Sequence, residues 1–252
     1  MTDFFFLDSN IIFGYCNPSD RLFPVIKPFY NTIKNENNIF LLLSVEKEFY
    51  RKIRNIFDFF QRKVSRYLRG GKKPQISKIK STILDAPGNT MYFFERFIFD
   101  LFDKKGITQL SYGNMMKVLI DFNNSMRGCF KTFTNHWIKR PSANDYQTVI
   151  DDTIFSNYRE IIGDLLHFPD NLHLALAAYY VTIRNLKNDS HNYVFYTDDR
   201  QFIYNNLEQV INIANLKIKK INYKKKSQLH YNPSSKSFDI PNDVLEFIPD
   251  KL

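Results

Sequence analysis

Cysteine is scarce in this chain of 252 residues, which contains only Cys16 and Cys129. Two distant cysteines exclude a disulfide framework and the paired spacing of a cysteine-rich zinc site. The five histidines also lack zinc-type spacing. No glycine-rich phosphate loop and no Gly-x-Ser-x-Gly nucleophile motif occurs. These absences argue against secreted disulfide-rich, zinc-binding, P-loop and serine-hydrolase classes.

Long apolar runs are absent as well. The longest, near Leu174, is too short to cross a bilayer, and the amino-terminal segment MTDFFFLDSNIIF lacks the basic region of a signal peptide. We therefore expect a cytoplasmic protein with no membrane partner. With 44% hydrophobic and 16% aromatic residues, the chain is able to bury a substantial core, which favours a folded domain over a disordered chain.

Acidic residues are nearly missing between positions 51 and 81. This stretch contains eleven basic residues and one acid, Asp58, so it carries a formal charge of +10, while the whole chain carries +9. A concentrated positive field attracts polyanions, whereas ordinary exposed helices mix both signs. We therefore expect nucleic acid to bind this stretch; a solvated helix face is the alternative. The residues assigned to nucleic-acid binding are Arg51, Lys52, Arg54, Arg62, Lys63, Arg66, Arg69, Lys72 and Lys73.

The order of apolar segments predicts an α/β fold. The short apolar runs that we interpret as strands are 4–7, 39–43, 193–196 and 216–221. Helical patterns separate them, which favours a central parallel sheet flanked by helices, with sites beyond the carboxyl ends of the strands. We expect a single domain over 1–223, in which 51–150 is a basic and mostly helical insertion, followed by a C-terminal extension over 224–252.

A long amphipathic helix is predicted after the second strand. Ser44 is placed to cap it, apolar residues recur at spacings of three and four from Phe49 to Leu68, and the sequence RGGKKPQ ends it. Further helices are expected after Asp170 and over 202–214.

Four acids border these predicted elements. Asp8 ends FFFLD, Glu48 lies in SVEKEF, Asp170 opens DNLHLALAAYY and Asp199 lies in YVFYTDD. A compact fold is able to bring the four carboxylates to one edge of the sheet. Carboxylates packed together repel one another, and Mg²⁺ or Mn²⁺ relieves that repulsion while polarising phosphate oxygens and activating water. The pattern predicts a metal-dependent phosphodiesterase.

In this order, the four segments resemble the PIN-domain family of metal-dependent ribonucleases. The segments that carry the likeness are Leu7-Asp8-Ser9-Asn10-Ile11-Ile12 after a strand, Val45-Glu46-Lys47-Glu48-Phe49, the alanine-rich helix that begins at Asp170, and Thr197-Asp198-Asp199 after a later strand. The resemblance covers about the first 50 residues and the 85 or so that precede the extension, and leaves the basic and helical middle unexplained.

The resemblance implies an endoribonuclease that hydrolyses RNA phosphodiester bonds with a bound Mg²⁺ or Mn²⁺, leaving a 5′-phosphate and a 3′-hydroxyl. The implied catalytic metal ligands are Asp8, Glu48, Asp170 and Asp199, with Asn10 and Thr197 as supporting residues. RNA is preferred over DNA only through the resemblance. Gln201 stands where the family commonly has a further acid, so one metal ion is the expectation.

Each acid also has a structural interpretation. Asp170 is able to cap its helix, and Glu48 is able to pair with Lys52 one turn later. His173, one turn after Asp170, is near enough in sequence to approach the site, but we expect a packed or hydrogen-bonded histidine. The alternative function is a nucleic-acid-binding or scaffold module that keeps the fold and cleaves poorly. Besides nucleic acid, a second copy of the chain and a protein inhibitor are the partners considered.

Overall fold

The computed structural model describes most of the chain. The described residues are 3–17, 20, 23–33, 38–71, 111–142, 144–185, 191–199, 216–220, 230–232 and 237–239. The predicted helix over 202–214 and the positions Lys72, Lys73 and Gln201 lie outside these ranges.

Five parallel strands form the central sheet. The strands are β1 (Asp3–Leu7), β2 (Ile39–Leu42), β3 (Ile138–Arg140), β4 (Asn192–Thr197) and β5 (Leu216–Lys220). Their order is β3-β2-β1-β4-β5, and every neighbouring pair is parallel. The predicted α/β class, a central parallel sheet flanked by helices, is therefore confirmed.

Strand β1 lies at the centre of this sheet, where both of its faces are covered. Its residues from Phe4 to Leu7 are all buried, as expected for a continuous apolar run in a parallel sheet. Its neighbours are β2, with Phe5 beside Ile39, and β4, with Phe5 beside Val194. The chain leaves β1 toward β2 and returns later on the other side as β4. Strand order thus diverges at the carboxyl end of β1, which is where open α/β sheets place their sites.

Helices cover the sheet and connect its strands. They are α1 (Ser9–Cys16), α2 (Phe23–Ile33), α3 (Leu43–Phe59), α4 (Ser65–Leu68), α5 (Tyr112–Phe133), α6 (Tyr146–Ile150), α7 (Thr153–Gly163) and α8 (Asp170–Asn185). A π-helical turn, Phe60–Val64, joins α3 to α4, and a short 3₁₀ segment, Arg69–Gly71, follows. None of the helices within the described ranges is both long and apolar enough to cross a membrane.

The predicted amphipathic helix is present as the continuous run from α3 to α4. Its apolar stripe is buried and consists of Phe49, Ile53, Ile56, Phe60, Val64 and Leu68. The last four recur every four residues, which is wider than the 3.6-residue turn of an α-helix. The π-turn widens the helix there and keeps the stripe facing the core. Gly70 and Gly71 end the run with positive φ angles of 72° and 73°, a conformation that suits glycine.

The expected capping by Ser44 is wrong. Helix α3 begins one residue earlier, at Leu43, and its N-cap residue makes no side-chain hydrogen bond. Ser44 is already helical, and its hydroxyl instead faces His173 on α8, at 2.7 Å.

The region expected to be a helical insertion contributes to the main core. Helix α5 buries an apolar face from Met115 to Phe133, which belongs to the same hydrophobic cluster as the sheet. Strand β3 also comes from this region and pairs with β2, although no strand is predicted there. In the C-terminal extension, β6 (His230–Asn232) and β7 (Ser237–Asp239) form an antiparallel pair.

Candidate metal centre

The Asp8 carboxylate is fixed at the carboxyl end of the central strand. Its backbone N–H donates to the Tyr196 carbonyl at 2.9 Å, so the ladder between β1 and β4 reaches the acid itself. One carboxylate oxygen accepts from the backbone N–H of Ser9 at 2.5 Å, as the N-cap of α1, and the other accepts from the Thr197 hydroxyl at 2.7 Å. The side chain is 1% exposed.

Asn10 and Thr197 connect the turn after β4 to the start of α1. Thr197 Oγ1 accepts from the backbone N–H of Asp199 at 2.9 Å and from Asn10 Nδ2 at 3.5 Å. Asn10 Oδ1 accepts from the backbone N–H of Asp198 at 3.4 Å. Both side chains are neutral, so they orient the acid-bearing segments without adding charge.

Glu48 lies one turn after Ser44 in α3 and is 7% exposed. Its Oε2 accepts from the Ser9 hydroxyl at 2.6 Å and stands 2.6 Å from His173 Nε2. Its Oε1 faces two cations, Arg51 Nη2 at 3.4 Å and Lys52 Nζ at 3.6 Å. Each oxygen of this carboxylate thus has defined polar neighbours.

Helix α8 supplies Asp170 and His173 from one face. Asp170 is its first residue, and His173 follows three positions later, which places both side chains on the same side of the helix. Ser44 and Glu48 are four positions apart on α3, so they too share a face. His173 is fully buried between the two helices and contacts Ser44 through Nδ1 and Glu48 through Nε2.

Four ligand-type groups converge at this point. In the part of the chain that the structure describes, one ligand atom from each of Asp8, Glu48, Asp170 and His173 lies within 4.8 Å of the others. Three carboxylates suit hard cations such as Mg²⁺ and Mn²⁺. Both nitrogens of His173 already contact Ser44 and Glu48, so the imidazole supports a ligand and the carboxylates are the donor set. The donor set therefore fits a divalent cation, and it does not single out one metal.

Asp199, the fourth expected ligand, lies outside this group of four. It follows β4 in the turn held by Thr197, and its negative charge is close enough to raise the pKa of Asp170. The structure thus brings three of the four predicted carboxylates together and places the fourth at the edge of the cluster.

The electrostatics of the cluster differ from one acid to the next. Burial, assisted by the charges of Asp8 and Glu48, raises the pKa of Asp170 to about 7. Burial also raises the pKa of Asp8. For Glu48, burial favours the neutral form, but the hydrogen bond from His173 and the charge of Lys52 outweigh it and lower the pKa to about 2. The site therefore combines a glutamate that is held in its ionised form with two aspartates whose protonated form is favoured by burial.

Lys52, one of the residues assigned from the sequence to nucleic-acid binding, points into the acid cluster. Its ammonium group donates to Ser9 Oγ at 2.8 Å and lies 3.6 Å from Glu48 Oε1, and its side chain is 17% exposed. The pairing of Glu48 with Lys52, considered from the sequence as a structural alternative, is present. The lysine partly neutralises the cluster from within.

The other described residues of the basic stretch are exposed. They are Arg51, Arg54, Arg62, Lys63, Arg66 and Arg69. Arg51 lies closest to the acids through its contact with Glu48, while the remaining five follow α3, the π-turn, α4 and the 3₁₀ segment. These five offer positive charge to solvent along one continuous run of backbone.

His173 is the packed and hydrogen-bonded histidine that the sequence predicts, and it also lies within the group of ligand-type residues. Its spacing from Asp170 is the signal that identifies it, because a residue three positions after a helical ligand shares that ligand's face. Ser9 follows Asp8 directly, but nothing in its sequence context indicates that its hydroxyl reaches Glu48.

Comparisons of the chain with protein-family models, with curated proteins and with solved structures found no match. A functional assignment therefore rests on the fold and on the convergence of Asp8, Glu48, Asp170 and His173.

Proposed function

We propose that this protein is a metal-dependent nuclease of PIN type that hydrolyses RNA phosphodiester bonds. The observation that carries the proposal is the convergence of Asp8, Glu48 and Asp170, from three separate elements, within 4.8 Å at the carboxyl edge of a parallel sheet. These are three of the four acids that the resemblance to the PIN-domain family selects. A parallel α/β sheet with its acids at this edge agrees with that resemblance.

The chain's own residues hold the proposed ligands in place. Thr197 and the N-terminus of α1 fix both oxygens of Asp8, and Ser9 and His173 fix one oxygen of Glu48. A divalent cation bound by this group supplies positive charge that activates water and stabilises the charge developing on a phosphate. We assign binding of that cation to Asp8, Glu48 and Asp170, and Asp199 lies at the edge of the acid cluster.

The nearby cations favour an anionic polymer as the substrate. Lys52 places one positive charge inside the cluster, and Arg51 places another at its rim. The exposed run from Arg54 to Arg69 extends the positive charge away from the acids and offers a path for a phosphate backbone. RNA is proposed ahead of DNA because of the family resemblance.

A second candidate is a nucleic-acid-binding module without turnover. The observation in its favour is that Glu48 already has two cationic neighbours and a buried imidazole, so its charge is balanced without a metal ion. This candidate predicts the same binding to RNA but no cleavage that depends on a metal.

The test is cleavage of a 5′-labelled single-stranded RNA by the purified chain with Mn²⁺, with Mg²⁺ and with EDTA. We expect cleavage only with a divalent cation, products with a 5′-phosphate and a 3′-hydroxyl, and a loss of at least about 100-fold in Asp8→Asn. Asp121→Asn, an exposed acid on α5, is the matched control and should cleave normally. Cleavage that persists in EDTA and in Asp8→Asn would refute the metal mechanism, and RNA binding without cleavage would favour the second candidate.

A further inference from the structure

Phe168 is the most exposed large hydrophobic side chain in the described part of the chain. It is 65% exposed, compared with 47% for Ile120 and 40% for Tyr112. A phenylalanine this exposed gains little from burial, so core packing does not explain its position. It lies in the segment between α7 and α8, two residues before Asp170. Its ring lies beside Arg51, whose guanidinium contacts Glu48, so the ring is at the rim of the acid cluster.

Arg51 connects this ring to the cluster. Its guanidinium carbon lies 5.8 Å from the centroid of the Phe168 ring, and its Nη2 lies 3.4 Å from Glu48 Oε1. The side chain of Arg51 is 45% exposed, so it is accessible from solvent. A guanidinium carries five N–H donors, and the hydrogen bond to Glu48 leaves donors for a phosphate. An aromatic face and a cation thus stand side by side next to the proposed metal ligands.

We propose that Phe168 and Arg51 form a subsite that binds one unpaired nucleobase and its phosphate next to the bond held in the acid cluster. The subsite makes the protein selective for single-stranded nucleic acid, because bases stacked inside a duplex have no free face for an aromatic ring. This inference rests on the proposed function and adds the class of substrate to it.

The charge around the ring favours a nucleic acid over an apolar protein surface as its occupant. A purely hydrophobic partner would cover Phe168 but would leave the Arg51 guanidinium without an anion other than Glu48. A nucleotide matches both groups, since its base is flat and apolar on its face and its phosphate is anionic. Arg54, exposed less than one turn further along the same helix, adds positive charge in the direction away from the acids.

The test measures binding in EDTA, so that its outcome does not depend on turnover. Fluorescence anisotropy gives the affinity for a labelled 12-nucleotide single-stranded RNA, the same sequence as DNA, and the matching RNA duplex. We expect Phe168→Leu to lower affinity for both single strands roughly 5- to 150-fold, the range for removal of one base–aromatic stack, and to change duplex affinity less than twofold. Phe168→Trp, which keeps an aromatic face, should bind at least as tightly as the parent chain.

Two controls separate stacking from general effects. Ile120→Ala removes another exposed apolar side chain and should change no affinity. The double variant Phe168→Leu with Arg51→Gln should lose less than the product of the two single losses, because both side chains bind one nucleotide. Circular dichroism and Tm check that each variant folds.

Several outcomes would overturn the subsite. Unchanged single-strand affinity in Phe168→Leu, or an equal loss on duplex, contradicts stacking on an unpaired base, and a loss confined to RNA contradicts binding of the base itself. These outcomes are separate from the fate of the nuclease proposal. If the parent chain cleaves RNA with a metal and Phe168→Leu binds normally, only the subsite proposal is refuted. If Phe168→Leu loses binding but the parent chain does not cleave RNA, only the nuclease proposal is refuted.

Discussion

His173 Nε2 stands 2.6 Å from Glu48 Oε2, and the other nitrogen of the same ring stands 2.7 Å from Ser44 Oγ. A carboxylate only accepts hydrogen bonds, so Nε2 is the donor in this pair. The buried imidazole thus holds one proposed metal ligand in a fixed orientation between two helices. Outer-shell partners of this kind tune the affinity of metal ligands.

We predict that His173→Ala weakens Mn²⁺ binding about 10- to 100-fold, because Glu48 loses the hydrogen bond that orients it and helps to keep it ionised. Isothermal titration of the EDTA-stripped protein with Mn²⁺ measures the change. Ser44→Ala, which removes only the partner of the second ring nitrogen, should weaken binding by a smaller factor.

The matched control for this prediction is His167→Ala, which removes an exposed histidine from the segment just before α8. It should leave Mn²⁺ affinity unchanged. An affinity for Mn²⁺ within twofold of the parent chain in a folded His173→Ala variant would show that the imidazole does not support the site.

Asp170 gives the metal-free protein a stability that depends on pH. Its pKa is raised to about 7, mainly by burial and by the charges of Asp8 and Glu48, while the unfolded value is about 3.9. For a raised pKa, the contribution to stability is fully present below the unfolded pKa and is lost as pH rises through the folded pKa. The free energy of unfolding in EDTA should therefore fall, through this residue, between pH ~4 and pH ~7.

Asp170→Asn removes that titration. In EDTA we expect the gain in Tm of the variant over the parent chain to be roughly 3–8 °C larger at pH 8 than at pH 5. With Mn²⁺ at pH 8 the order should reverse, because the parent chain gains stability from the ion and the variant does not. Asp121→Asn is the control for an exposed carboxylate. A Tm difference that does not vary with pH would contradict the raised pKa of Asp170.

The parts of the fold that the sequence predicts best are those with a strong apolar pattern. The run from Phe4 to Leu7 has no polar interruption, and a buried central strand is the consequence. The stripe that includes Phe49 and Phe60 likewise predicts a long amphipathic helix, which is confirmed. The burial of apolar side chains determines where these elements form, and the apolar pattern that leads to burial is visible in a short stretch of sequence.

Strand β3 and the polar contacts of the site depend on tertiary structure, so a local apolar pattern does not predict them. Ile138–Arg140 is three residues long and mostly polar, so it has no strand pattern, and its pairing with β2 defines it. The inward direction of Lys52 is decided by Ser9 and Glu48, which are brought together only when α1 packs on α3. The spacing of four residues indicates the pair of Lys52 with Glu48, but nothing in the local sequence indicates the contact of Lys52 with Ser9.

Lys52 should compete with a bound cation. Lys52→Met removes its positive charge, so we expect Mn²⁺ affinity to rise about tenfold, equivalent to roughly 1.4 kcal/mol of reduced repulsion at short range. The same change should lower the Tm of the metal-free protein, since the acids then repel one another with less compensation. Titration calorimetry and thermal unfolding in EDTA measure the two effects.

The matched control for Lys52 is Arg54→Met, two positions later on the same helix, where the side chain is exposed. It should alter neither Mn²⁺ affinity nor Tm to a comparable degree. If Lys52→Met left both quantities unchanged, its ammonium group would have no electrostatic role in the cluster.

The exposed basic residues from Arg54 to Arg69 should determine how strongly RNA affinity depends on salt. Reversing Arg54 and Arg66 to Glu should weaken single-stranded RNA binding and reduce the slope of log affinity against log salt by about 1.4, or ~0.7 for each phosphate that the protein no longer neutralises. The control reverses two exposed lysines of α5, Lys117 and Lys131, and so changes the net charge by the same amount. If the two pairs of reversals had equal effects, net charge alone would explain the binding, and the run from Arg54 to Arg69 would not be the path of the RNA backbone.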